Sequence, residues 1–285
     1  MSLFVPQLSM AGWTYDNWGA NPSTTPGTAL TPGNSNADSA WTQIASSANI
    51  AHDVAGIGIA CSAMASHTNA NHQVLMDIGI DPAGGTSYVA EINDIEVGQI
   101  TTNVYAGRQM FFPFRIAAGS SVAVRARSSN ATAVDFRVGA KFYGQVSGPA
   151  AFPVGTISET IGATAASSTG TSFTPGNAAD GSWVSLGTTT IPLWWWVLCY
   201  SVSSAGMTTE RTYVDLAYGD GSNKHLMKRV FMLSNGNEYS DECYGMNSNF
   251  YDCYFPLPAG STLYIRGRTE NAPDTGYNGL AIGIG

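Results

Sequence analysis

The chain repeats itself, and that duplication constrains its fold more than any other feature. Leu30-Thr31-Pro32-Gly33-Asn34 returns as Phe173-Thr174-Pro175-Gly176-Asn177, with a tryptophan soon after each, Trp41 and Trp183. Met76-Asp77-Ile78-Gly79-Ile80 lies opposite Val214-Asp215-Leu216-Ala217-Tyr218, and Cys61 opposite Cys199. The longest match sets the segment Phe114 to Arg127 over Phe255 to Arg268, both carrying Ala-Gly-Ser and ending Arg-x-Arg. The offset between copies moves only between 138 and 143, so insertions are short. The sequence predicts two homologous domains, 31–147 and 173–285, joined by a Gly/Ala/Ser/Thr-rich linker at 148–172. Residues 1–30 have no counterpart in register and read as an extended N-terminal arm.

Within each copy the hydrophobic period is two, the signature of a half-buried strand. Val134, Phe136, Val138, Ala140 and Phe142 alternate with Asp135, Arg137 and Lys141. Val122 and Val124 alternate with Arg125 and Arg127, as Leu263 and Ile265 do with Arg266 and Arg268. Gly119 and Gly260 sit in Ala-Gly-Ser turns, where a residue free to take positive φ is useful. No window reads as an amphipathic helix longer than two turns. The expected class is all-β, two tandem antiparallel β-sandwiches of jelly-roll type.

Charge narrows the function. Only 12 Lys+Arg and 20 Asp+Glu occur in 285 residues, a net charge of −8. Nucleic-acid backbones require a clustered basic footprint, and anionic membranes a basic face, so neither is an expected partner. The apolar stretch Ile191–Tyr200, interrupted by Pro192, is too short for a helix crossing ~30 Å of hydrocarbon. The N-terminus lacks a basic n-region and an apolar h-region, so the reading is a soluble product made in a cytosol, without a signal peptide. Cys243 and Cys253 are close enough in sequence to bridge adjacent strands; without secretion, free thiols are the default.

Catalytic signatures are absent: no G-x-S-x-G, phosphate loop, H-E-x-x-H or C-x-x-C. His67 and His72 would need a third ligand to hold a metal. Asp220-Gly221-Ser222-Asn223 suggests a calcium loop, but Phe231 stands where a bidentate glutamate belongs, and a hairpin turn explains it. No metal and no cofactor are expected. Glu238, Asp241, Glu242 and Asp252 are the one acidic group that could serve a glycosidase, with Tyr239, Tyr244, Tyr251 and Tyr254 beside it. A non-enzyme is the expectation, and those four tyrosines are then candidate glycan contacts.

In Leu193-Trp194-Trp195-Trp196-Val197-Leu198-Cys199, alternation separates Trp195, Val197 and Cys199 from Trp194, Trp196 and Leu198. Matched to the first copy, the first set falls on Ile57, Ile59 and Cys61 and reads as core. The second falls on Gly56, Gly58 and Ala60, and marks Trp194 and Trp196 as an interface. Stacking on a sugar and burial on both faces are the competing explanations. Trp13, Tyr15 and Trp18 carry large apolar area and are read as the part of the arm that packs on a partner; packing on their own domain is the alternative.

The run Phe112-Pro113-Phe114-Arg115-Ile116-Ala117-Ala118-Gly119-Ser120-Ser121-Val122-Ala123-Val124-Arg125-Ala126-Arg127 resembles a pattern in virion structural proteins of tailed bacteriophages, of the capsid decoration and head-spike kind. The second copy departs from it at Pro256 and Pro258. The resemblance implies β-sandwich modules in a virion, binding the major capsid protein or other virion proteins. A homo-oligomer, with a trimer favoured, is the expected state. The sequence thus points to a capsid cement protein, or alternatively to a head-spike or tail adhesin that binds host glycan.

Overall fold

The computed structural model describes residues 14–17, 27–62, 72–100, 108–129, 136–144, 153–166, 170–202, 210–234, 252–270 and 277–285. Among them are nineteen strands and no helix. The first copy holds β1 (Thr14–Asn17), β2 (Thr28–Leu30), β3 (Thr42–Ala45), β4 (Val54–Ser62), β5 (His72–Asp81), β6 (Val89–Ile100), β7 (Arg108–Phe112), β8 (Ser121–Ser128) and β9 (Phe136–Gly144). One of its sheets runs β1-β9-β4-β7, with β2 also on β9, and the other β3-β8-β5-β6. Counting β1 and β2 as one interrupted strand, this is the eight-stranded jelly roll.

The second copy holds β10 (Ser158–Ile161), β11 (Thr171–Phe173), β12 (Gly176–Asn177), β13 (Val184–Thr188), β14 (Leu193–Val202), β15 (Glu210–Gly219), β16 (Lys224–Ser234), β17 (Asp252–Leu257), β18 (Thr262–Thr269) and β19 (Tyr277–Ile284). Its sheets run β10-β19-β14-β17, with β11 on β19, and β13-β18-β15-β16, with β12 also on β18. The two orders match strand for strand, so the all-β, tandem jelly-roll expectation holds.

The expected arm and linker do not stand apart from the sheets. Thr14 pairs with Tyr143 and Ser158 with Ile284, so β1 and β10 occupy the same place in the two repeats. Each therefore begins before the boundary read from sequence. The physical reason is that these pairs are made by backbone groups, and Thr-Tyr-Asp-Asn and Ser-Glu-Thr-Ile share no side-chain pattern.

Alternation set the inner face of β8 and β18 correctly. Val122, Val124 and Ala126 are buried between the sheets, as are Leu263 and Ile265. Gly119 and Gly260 take φ of 80° and 84° at the turns leading into those strands, the left-handed conformation anticipated for them.

In β4 and β14 the sequence match is out by one residue. Ile57 pairs with Phe142 on β9, whereas Trp196 pairs with Gly283 on β19, two residues in equivalent places. The partner of Ile57 is thus Trp196, not Trp195. The shared cysteines at 61 and 199 fixed the wrong register, and a slip of one exchanges the faces of a strand. Volume is conserved across the corrected match: small Ile57 meets large Phe142, and large Trp196 meets Gly283, whose Cβ would fall 2.8 Å from the indole ring.

Candidate interaction surfaces

The corrected register exchanges the expected places of Trp195 and Trp196, while Trp194 is partly buried against the apolar cluster of the first jelly roll. Trp196 is fully buried in the second jelly roll with Leu193, Leu198 and Leu257, and its indole N–H donates to the Phe255 carbonyl at 2.8 Å. It is core rather than interface. A bulge between Leu193 and Trp195 puts two successive tryptophans outside that core. Trp195, Val197 and Cys199 from β14, with Leu280, Ile282 and Ile284 from β19, instead join the apolar cluster of the first jelly roll.

The interdomain contact is therefore specific in place. The outer face of the β19-β14 sheet covers the side of the first jelly roll formed by edge strands β6 and β7. Trp195 sits edge-on to Phe111, ring centroids 6.1 Å apart, and donates its N–H to the Phe111 carbonyl at 3.3 Å. The Thr160 hydroxyl donates to Asn93 O at 2.7 Å, and Ser158 caps Glu91 O in the same way. These bonds occupy carbonyls that an uncovered edge would offer to another chain. Gly155 exchanges backbone bonds of 2.8 Å with Pro113 and Arg115. Arg127 donates to Asp94 and, at 2.9 Å, to the Thr164 carbonyl.

The expected contact residues are distributed as follows. Tyr15 lies on β1 and stacks on Phe142 at 5.9 Å, packed against its own domain's core. Burial raises its hydroxyl above the ordinary value. It is not part of a free arm, because β1 is hydrogen-bonded to β9 throughout. Trp13, Trp18, Tyr239, Tyr244 and Tyr251 lie outside the described residues, as do Glu238, Asp241, Glu242 and Cys243. Tyr254 is 55% exposed on β17, and half-buried Trp194 stands beside it with ring centroids 6.1 Å apart. One expected interface residue and one expected glycan residue thus meet in a single aromatic pair. The low face of Gly56, Gly58 and Ala60 has a local cause: the Phe111 ring lies where a Gly56 Cβ would be, and Tyr143 flanks Gly58.

One constellation was not singled out from sequence. In the first repeat Arg125 lies 4.6 Å from the Trp41 ring, binds Asp77 through Nε at 2.9 Å and reaches Asp38 at 3.0 Å. In the second, Arg266 lies 4.2 Å from Trp183, binds Asp215 at 2.9 Å and reaches Asp180 at 2.6 Å. Asp77 and Asp215 are buried beneath these arginines. The signal was present: Asp-x-x-Trp at 38–41 and 180–183, and an aspartate in the middle of each apolar strand.

The first repeat extends this network. Asp94 takes φ of 62° in a bulge of β6, and its N–H donates to Asp77 Oδ1 at 2.9 Å. Burial raises the Asp94 carboxyl, opposed by Arg127. Burial would lower the Arg127 guanidinium, but Asp94 and Asp77 outweigh it and the pKa is raised. In the second repeat, hydrogen bonds from Arg229 to Asp215 raise the arginine. Carboxylates bound this way are structural links rather than general acids or bases. Among the described residues no group of three or more His, Cys, Asp or Glu is placed to hold a metal.

No protein-family model matches the chain, and no curated protein matches it. Among solved structures it is similar to the N-terminal CBM22-1-CBM22-2 tandem domain of Paenibacillus barcinonensis Xyn10C, at 12% identity over 95% of this chain and 90% of that one, TM-score 0.30. It is also similar to the STIV MCP, at 9% identity over 96% of both chains, TM-score 0.37. A third similar structure is PNGF-II, at 8% identity over 92% of this chain and 66% of that one, TM-score 0.35.

Proposed function

We propose that this protein is a non-enzymatic structural component of a phage particle, a capsid decoration or cement protein that binds the major shell protein and stabilises it as a homo-oligomer, with a trimer favoured. The observation that carries this reading is the pairing of basic side chains with carboxylates of the same chain. Arg125, Arg127, Arg229 and Arg266 all bind aspartates, and Lys141 and Arg115 pair with Asp16 and Asp53. These are half of the 12 basic residues in the chain, which is poor in charge overall and rich in hydroxyl, amide and aromatic side chains, a composition suited to lie against other protein. The phage-like motif at 112–127 supports the virion setting.

A second reading is favoured by the Trp194–Tyr254 pair: an adhesin module that stacks host glycan on those rings. Co-sedimentation of the full chain with undecorated phage capsids tests the first. The full chain is required, since starting at Leu30 would remove β1 and damage a sheet. Saturable binding supports the cement role, and absence of binding overturns it. Binding of cell-surface polysaccharide that disappears in Trp194→Ala and Tyr254→Ala, with no capsid binding, would replace it with the adhesin.

A further inference from the structure

We infer that the two jelly rolls open as one cooperative unit, coupled by a backbone clasp at Gly155 and by β19 serving as a wall of both cores. Tandem domains joined by a Gly/Ala/Ser/Thr-rich segment would by default move and melt separately. Three features of the contact between these repeats act against that default.

The first is a run of backbone hydrogen bonds that passes from one repeat into the other. Val54 of β4 and Ile116 exchange bonds of 2.8 and 3.2 Å. In the same segment, the Arg115 N–H donates to Gly155 O and the Gly155 N–H to Pro113 O, each at 2.8 Å. Thr156 and Ile157 then donate to Gly285 O at 2.9 and 3.2 Å, and Gly285 donates to Ile157 O at 3.0 Å. The ladder thus leads from β4 through 113–116 and 155–157 to the residue that follows β19. Only a residue without a side chain fits at its middle: a Cβ on Gly155 would clash with Ile284 Cγ2 and lie 2.6 Å from Gly285 O.

The second is β19 itself, buried at every position from Tyr277 to Ile284. Tyr277 and Ala281 belong to the second core, while Leu280, Ile282 and Ile284 join the first with Trp195, Val197 and Cys199 of β14. The strand that completes the second sandwich therefore also lines the first. The third is polar. Ser158 and Thr160 bond the Glu91 and Asn93 carbonyls, and Arg127 bonds Thr164 O. Opening either repeat alone would wet this apolar wall and leave these carbonyls without their donors, so the cost of opening one includes the contact with the other. An interface that is large and apolar in this way suppresses separate domain motion.

Hydrogen exchange of the full chain, read by mass spectrometry on the slowest amides of each repeat, tests the coupling. Conditions are chosen so that exchange follows the opening equilibrium. Val124→Ala truncates a buried residue of β8, two strands in from the covered β6 edge. It is expected to speed the slowest amides of β5 and β8 roughly tenfold, and those of β15 and β18 by the same factor. Ile265→Val on β18 is expected to be felt equally in β5 and β8, and carries the test alone should Val124→Ala not fold. Gly155→Val drives a side chain into the clasp, and in that background Val124→Ala is expected to speed the first repeat only. Circular dichroism first establishes that each variant folds, and Gly155→Ala, a smaller wedge, replaces Gly155→Val if it does not. Second-repeat amides indifferent to Val124→Ala, or first-repeat amides indifferent to Ile265→Val, overturn the coupling. Transmission that survives the wedge overturns the role given to Gly155.

Discussion

Exchanging one core pair between the repeats tests the strand register directly. In the first repeat Ile57 packs with Phe142, and in the second Trp196 with Gly283. Leu193, whose methyl would lie 2.6 Å from a Cβ at position 283, stands where the first repeat has Val54. The cycle is therefore run in a Leu193→Val background. Trp196→Ile removes part of a fully buried ring, and against ~3–5 kcal/mol for Trp→Ala it should cost about 2 kcal/mol. Gly283→Phe alone drives a ring into Trp196 and should cost roughly 1–3 kcal/mol. Together they recreate the pair of the first repeat, so the double variant should be more stable than the sum predicts by about 2 kcal/mol. Urea unfolding of the full chain, followed by circular dichroism at unchanged slope, reads these values. If Trp196 instead faced outward, as the cysteine match required, Trp196→Ile would cost little. The two changes would then add to within about 0.5 kcal/mol, and that result would refute the register.

Two further outcomes follow from the ion networks. Asp77→Ala should cost about 3 kcal/mol, since it strands the Asp94 N–H and takes a buried carboxylate from Arg125. Asp38→Ala, at a carboxylate one-third exposed, should cost under about 1 kcal/mol, and equal urea midpoints for the two would contradict the assignment. Asp53 is held below its ordinary value of 3.8 by the Ala118 N–H and then by Arg115. Its contribution to stability is therefore present above 3.8 and lost as pH falls through the lowered folded value, so Asp53→Asn should flatten the acid limb of the stability profile.

The parts of the fold legible in the sequence are those where one face of a strand meets water. β8 and β18 alternate apolar residues with arginines, and both face and register could be read from them. β14 and β19 are buried on both faces, in the second core and against the first repeat, so alternation carries no sign there. A chance pair of cysteines then decided the register of β14. β1 and β10 were illegible for another reason: their role is to supply backbone pairing to β9 and β19, which many sequences satisfy. Of the candidate contacts, Tyr254 could be placed on the surface, whereas the Trp194–Trp196 assignment turned on a bulge that leaves no trace in residue pattern.

The double burial of β19 has a consequence for synthesis. The first jelly roll has all its own strands once Gly144 is made, yet β14 and β19, which cover its β6-β7 side, come later. At ~5–20 residues per second, the interval from Gly144 to Tyr277 is on the order of ten seconds. The nascent chain displays the Phe111 ring until Trp195 is made, and through the whole interval β10, whose Ser158 and Thr160 bond the Glu91 and Asn93 carbonyls, lacks its pairing strand β19. A chaperone that shields strand edges would have its natural client in this half-made protein, and slow codons before β19 should raise its aggregation while leaving the finished molecule unchanged.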